Sequence, residues 1–170
     1  AIGSGHYPDC FIVMPVWFDG HIVGYATDIC HHADMGGAVP GSQAVMGITD
    51  AFQEGLRILP VKTLREGEFN QDIMRLILGN VRAPNKVGGD LRAQVNADFV
   101  GSQRLIRMYE QYGEEVMEAT IEEILDRSEQ RFRDQIGKIP NGVYEFEDWF
   151  DDSGPGTEPL RVHVELQVKD

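Results

Sequence analysis

Apolar residues in the first part of this chain come in two dense runs, not at helical spacing. The runs are CFIVMPVWF from Cys10 and HIVGYATDI from His21, separated by Asp19-Gly20. Asp-Gly between two β-rich runs is the strongest short-range signal for a hairpin with a two-residue turn. Pro15 inside the first run points to an edge position or a bulge. The pattern then lapses. Residues 30–49 are rich in Gly, Pro, Ser and His and read as a loop, where function tends to sit. Thr49-Asp50 can cap a short helical turn through Gln53 and Glu54. Leu56 to Leu64 (LRILPVKTL) alternates enough to predict a third strand, with a proline inside it.

The middle of the chain changes period. Phe69, Ile73, Leu76 and Ile77 predict a helix from Phe69 to Val81. Ala83 to Asp90 reads as a turn, with Asp90 capping a second helix that runs to Tyr112. Its apolar stripe is Leu91, Val95, Phe99, Ser102, Ile106 and Tyr109. Gly113 ends it, and a third helix from Glu114 carries Val116, Ile121, Ile124, Leu125, Phe132 and Ile136 before Gly137 and Pro140 stop it. Asn141-Gly142 turns the chain into a last pair of strands. Val143 to Phe150 is aromatic and half acidic, and Leu160 to Val168 alternates cleanly. Asp151 to Glu158 is a turn-rich connector. The order predicts an α+β fold of antiparallel β-hairpins with a long αα-hairpin. Its parts are a β-rich 1–65, a helical 66–140 and a β-hairpin over 141–170.

The chemistry gathers around the first hairpin. His6 and Asp9 precede its first strand in GHYPD. His31, His32 and Asp34 follow its second strand in HHADMGG. A two-residue turn sets Phe18 opposite His21, which places Asp9 opposite Cys30 and Pro8 opposite His31. The two clusters therefore meet at the open end of the hairpin. Imidazoles and a carboxylate together suit a borderline divalent metal: zinc, manganese or iron. Side chains alternate faces along a strand, so this register puts Asp9 on the face of His32 and not of His31. Gly36-Gly37 and Gly41-Ser42 could offer backbone N–H groups to an anion, though the P-loop pattern is absent. Glu54 and Asp50 lie near the loop, and spacing selects neither as a general base. No nucleophile elbow is present.

Bulk properties remove some alternatives. The 170 residues suffice for one core, and 42% apolar and 25% charged residues are ordinary for a globular chain. A net charge of −13 disfavours nucleic acid and anionic membrane as partners. No apolar run is long enough to span a bilayer, and no signal-peptide pattern is seen. Cys10 and Cys30 make no disulfide framework and read as reduced thiols of a cytoplasmic protein. The first residue is not Met and the richest motif starts at His6. This predicts a segment of a larger polypeptide, or an end covered by other chains.

GHYPD, HHADMGGAVPGS, QEGLRILPVK, DLRAQVNA and PNGVYEFEDWFDDSGPG occur in this order. Together they resemble the B-type subunit of the hydantoinase/oxoprolinase family, which includes the metal-binding subunit of acetone and acetophenone carboxylases. The resemblance runs through nearly the whole chain and matches an internal segment of that longer subunit. It implies a partner A-type subunit that binds ATP-Mg and phosphorylates a carbonyl oxygen. The substrate is then a cyclic amide opened by water, or a ketone that is carboxylated. It also implies His6, Asp9 and His31 as metal ligands, for zinc or manganese with iron as a third option. His32 and Asp34 would stand behind them. The run His31-His32-Ala33-Asp34 is nearer the cyclic-amide hydrolases than the carboxylases, so hydrolysis is the first expectation and carboxylation the alternative.

Overall fold

The computed structural model describes residues 5–43, 47–152 and 156–169. Ser153-Gly154-Pro155 of the expected connector lies outside the described residues. The chain divides into two compact units, residues 1–107 and 108–170.

In the first unit, Asp19 (φ 45°) and Gly20 (φ 82°) both take left-handed backbone. That is what the tight hairpin turn requires. They join β1 (Asp9–Phe18) to β2 (His21–His31) in an antiparallel pair. The expected register holds only next to the turn. Phe18 faces His21 and Trp17 faces Ile22, but Val16 faces Gly24, so Val23 is an extra residue on β2. This bulge shifts every later pair by one. Asp9 is opposite His31, not Cys30, and Cys10 is opposite Cys30. Both thiols are free.

The predicted third strand does not form as one. Pro60 interrupts it, and only Leu64–Arg65 (β3) pairs with Glu68–Phe69 (β4), across a Glu66-Gly67 turn. Helix α1 (Gln71–Leu78) starts later than predicted because Asn70 caps it. The Asn70 side-chain oxygen accepts from the amides of Asp72 (3.1 Å) and Ile73 (3.4 Å). Helix α2 (Pro84–Tyr112) starts earlier than predicted. Residues 84–90 are its first turns, and Asp90 is inside the helix, not its cap. Pro84 explains this, since its fixed φ and missing N–H suit the first helical position. Gly88 faces the end of α1, where a Cβ would make ordinary contact with both Leu78 methyls at 3.4 Å.

The core of this unit is Met35, Met74, Ile77, Val87 and Leu91, with Cys10, Leu56, Phe69, Ile73, Leu78 and Val81 packed against it. Met35 belongs to the loop after β2, so the core holds that loop directly. The buried stripe of α2 also differs from the apolar one expected. Phe99 is exposed, while Gln94 and Asp98 are buried beside the expected Leu91, Val95, Ser102 and Tyr109.

The second unit comprises the end of α2, helix α3 (Glu114–Ile136), β5 (Gly142–Phe150) and β6 (Leu160–Val168). Tyr144 faces Leu166 and Phe146 faces Val164 on the apolar side of the β5–β6 ladder. Glu147 faces His163 on the other. The α+β class, the antiparallel hairpins and the long helices are as expected. No helix among the described residues is long and apolar enough to cross a membrane.

Asp98 is 3% exposed, and one of its carboxylate oxygens has no partner among the described residues. Burial, with repulsion from Asp28 of β2, pushes its pKa up to about 6. The unfolded chain ionises at the ordinary, lower value, so the folded state binds more protons between the two values. Stability is therefore unaffected below about pH 4, falls as pH rises towards 6, and stays lowered above that by ~3 kcal/mol. In the full polypeptide, exchange of α2 amides near Asp98 should speed up across this window after correction for intrinsic rates. Asp98→Asn should abolish that slope and protect the same amides at pH 7.5.

Candidate metal centre

The bulge in β2 makes the site. With Val23 inserted, Asp9 and His31 become direct cross-strand neighbours. The ladder goes on past them, since the His32 amide donates to Pro8 O at 2.9 Å. On the near side, the Asp9 amide donates to His6 O at 3.2 Å and closes a turn over His6-Tyr7-Pro8-Asp9. Pro8 is fully buried and anchors that turn. His6 is thus folded back over the end of β2. Its Nε2 lies 2.9 Å from His31 Nε2, with ring centroids 4.9 Å apart and planes tilted by 30°. Two nitrogens at that separation can both sit about 2.1 Å from one ion, the usual zinc–imidazole bond. Among the described residues no group of three or more His, Cys, Asp and Glu side chains converges to hold an ion. The imidazole pair is the formed part of the site, with Asp9 beside it at the register position of His31.

His32 points the other way. It is fully buried, and its Nε2–H donates to Gln94 Oε1 at 2.8 Å. Gln94 in turn donates from Nε2 to Cys10 O (2.9 Å) and to Asp28 Oδ1 (3.1 Å). This fixes the orientation of the Gln94 amide and, through it, the His32 tautomer. His32 ties the end of β2 to α2 and does not join the His6–His31 pair.

Asp34 is also structural in its contacts. Its side chain is 3% exposed and accepts from Arg82 Nη1 at 2.8 Å, from the Gly36 amide at 3.1 Å, and from the Arg82 amide. The other arm of Arg82 donates to Gly37 O at 2.7 Å. One guanidinium therefore clamps the loop at both ends of Asp34-Met35-Gly36-Gly37.

The glycines of the expected anion loop divide between two tasks. Gly36 (φ 80°) and Gly37 (φ 78°) serve close packing. A Cβ on Gly36 would meet Asn80 O at 2.8 Å, and one on Gly37 would meet Gln53 O at 2.5 Å. Gly41 lies against the site itself, since a Cβ there would stand 4.0 Å from His31 Cε1. Ser42 follows it in a 3₁₀ turn and donates its amide to Val39 O at 3.3 Å.

Arg82, Gln94 and Met35 carry the loop, yet the sequence gives little sign of them. Arg82 sits in a short joint between helices. Gln94 is one of three buried polar residues of α2, with Asp98 and Ser102, and nothing local marks it. Glu54 is placed more tellingly than its spacing shows: its Oε1 is 3.5 Å from His6 Nδ1. Cys10 flanks the site, and burial with the nearby Cys30 pushes its thiol up to about 11.

An α+β fold brings two imidazoles together over a clamped glycine loop, and comparison with known proteins gives the class. The family model Hydantoinase B/oxoprolinase matches residues 1–170, and the chain belongs to that family. It is 34% identical over 170 residues to the B-type subunit of a putative D-/L-hydantoinase from Pseudomonas sp. (strain NS671), covering 98% of this chain and 29% of that one. The crystal structure of the ATP-dependent caprolactamase from Pseudomonas jessenii matches with a TM-score of 0.88 at 32% identity, over 97% of this chain and 28% of that chain. The nucleotide-free acetone carboxylase structure shares the fold, with a TM-score of 0.83 at 18% identity over 96% of this chain and 23% of that one. The chain thus spans less than a third of the length of these relatives.

Replacing Arg82 by Ala leaves a buried carboxylate with only backbone donors, at a cost of about 2 kcal/mol. Exchange of the Gly36 and Ala38 amides should accelerate roughly 30-fold in the variant. Unchanged protection would show that the clamp does not hold the loop.

Proposed function

We propose that this chain is the metal-binding segment of an ATP-dependent cyclic amide hydrolase, working with an A-type subunit that phosphorylates the carbonyl oxygen of the substrate. The observation that carries this reading is the convergence of His6 Nε2 and His31 Nε2 at 2.9 Å. It is supported by the relatives' descriptions, a hydantoinase of the B type and an ATP-dependent caprolactamase, both above 30% identity.

His6 and His31 would hold the ion, with Asp9 adding a carboxylate from the register position beside His31. Bound there, a zinc or manganese ion supplies Lewis-acid polarisation of a carbonyl or a hydroxide near neutral pH. The chain's own contribution is position. The hairpin register fixes His31 against Asp9, the His6-Asp9 turn brings the second ring over, and Gly41 keeps the approach to His31 free of a side chain. Phosphorylation of the substrate and ATP-Mg binding belong to the A-type partner, in the cytoplasm where ATP is available.

The test uses the full polypeptide with its A-type partner. Elemental analysis should find zinc or manganese in the parent and none in a His6→Ala, His31→Ala double variant. ATP turnover should be stimulated by one of hydantoin, 5-oxoproline or a larger lactam, not by acetone, and should continue without bicarbonate. Turnover that stops when bicarbonate is withdrawn would establish the ketone carboxylase instead. A metal-free parent that still turns over would remove the metal from the reading.

A further inference from the structure

From the geometry we infer that Glu54 is the positioning residue of His6, holding its ring in the Nδ1–H tautomer so that Nε2 presents its lone pair to the ion. This rests on the proposed metal centre.

An imidazole that binds an ion through Nε2 must carry its proton on Nδ1, and a carboxylate facing Nδ1 selects that tautomer. Glu54 Oε1 is 3.5 Å from His6 Nδ1, and both side chains are half-buried, being 28% and 30% exposed. That distance is an ion-pair contact, slightly longer than a good hydrogen bond. A cation on Nε2 makes Nδ1–H a stronger donor and draws the pair together, as charge-assisted bonds are shorter.

The placement of Glu54 is built, not incidental. Asp50 and Gln53 form a capping box around the 3₁₀ turn Ala51–Gln53. Asp50 Oδ1 accepts from the Phe52 amide at 2.9 Å, and Gln53 Oε1 accepts from the Asp50 amide at 3.0 Å. The Glu54 amide donates to Ala51 O at 3.2 Å. Two cross-links then pin this segment to the clamped loop. The Ala38 amide donates to Gln53 O at 2.7 Å, and the Leu56 amide donates to Met35 O at 2.6 Å. Gly37 permits the approach, because a Cβ there would lie 2.7 Å from the carbonyl carbon of Glu54. Gly55 lies on the other side, where a Cβ would be 3.0 Å from Met35 O and 3.5 Å from Tyr7 Cβ. The backbone on either side of Glu54 is therefore fixed by the loop that follows His31. The carboxylate meets His6 at Nδ1, while His31 meets it at Nε2.

Three variants of the full polypeptide test this: Glu54→Ala, Glu54→Gln and His6→Ala. Zinc affinity is measured by chelator competition, and the metal-free Glu54→Ala protein is crystallised. Glu54→Ala should weaken zinc about 10- to 100-fold. Glu54→Gln, whose amide oxygen can still accept from Nδ1–H, should recover most of that loss. In the metal-free Glu54→Ala crystal the His6 ring should leave its position against His31. Zinc affinity and ring position both unchanged in Glu54→Ala would overturn the assignment while leaving the metal centre intact. Equal losses in Glu54→Ala and Glu54→Gln would also overturn it, pointing to charge in place of tautomer. Zinc binding that survives His6→Ala would overturn the metal centre, and the assignment with it.

Discussion

Inserting Val23 into β2 moves every pair beyond it by one position, and because side chains alternate faces with period two, one position is the difference between a site and none. On a regular ladder Asp9 would face Cys30, with His31 on the wrong side of the hairpin. With the extra residue, Asp9 faces His31 and the Pro8–His32 bond closes the end. The turn at Asp19-Gly20 sets the starting register, and the bulge sets the finishing one. Bulges re-aim side chains near functional sites in just this way. The same shift sends His32 inward, so that two adjacent histidines do different work: one exposed at the rim, one buried against α2.

What holds the rim in place lies behind it. The segment after β2 is fastened at three successive depths: His32 to Gln94, Asp34 to Arg82, and Met35 in the apolar core. His32, Gln94, Asp34 and Met35 are buried, where an unpaired polar group is costly and a satisfied one is correspondingly rigid, and Arg82 reaches Asp34 from the half-exposed side. The ring of His31 that meets His6 is exposed, yet its backbone leads straight into a run of buried residues. A side chain held on a rigid base but open at its tip is the arrangement that precise positioning demands. Gly36 and Gly37 belong to the base, because only residues without Cβ let Asn80 and Gln53 come so near.

Much of this is legible in the sequence. The Asp-Gly turn, the two first strands, the helix stop at Gly113 and the pairing of the last two strands follow from local chemistry, and they form as expected. Pro15 warns of an edge or a bulge, and the bulge lies next to it, marked also by Gly24 within the strand. The departures share a cause. Gly88-Gly89 has the local character of a turn, whereas Pro84 starts the helix and both glycines lie inside it. Phe99 has the local character of a core residue, whereas tertiary contacts choose Gln94 and Asp98. Local propensity cannot see a partner distant in the chain, and Gln94 with His32, or Arg82 with Asp34, is settled only by such partners.

Two neutral imidazoles that turn Nε2 towards each other at 2.9 Å cannot both present a lone pair, nor both a proton. With Glu54 next to His6 Nδ1, the arrangement that suits both contacts gives His6 the acceptor role at Nε2 and His31 the donor. A proton between the rings then occupies the place a cation would take. On the proposed reading an ion would take that place, and His31 would then carry its proton on Nδ1. On that reading the exchange is one-sided: the carboxylate behind His6 leaves that ring ready as a ligand, and His31 is the ring that must change tautomer.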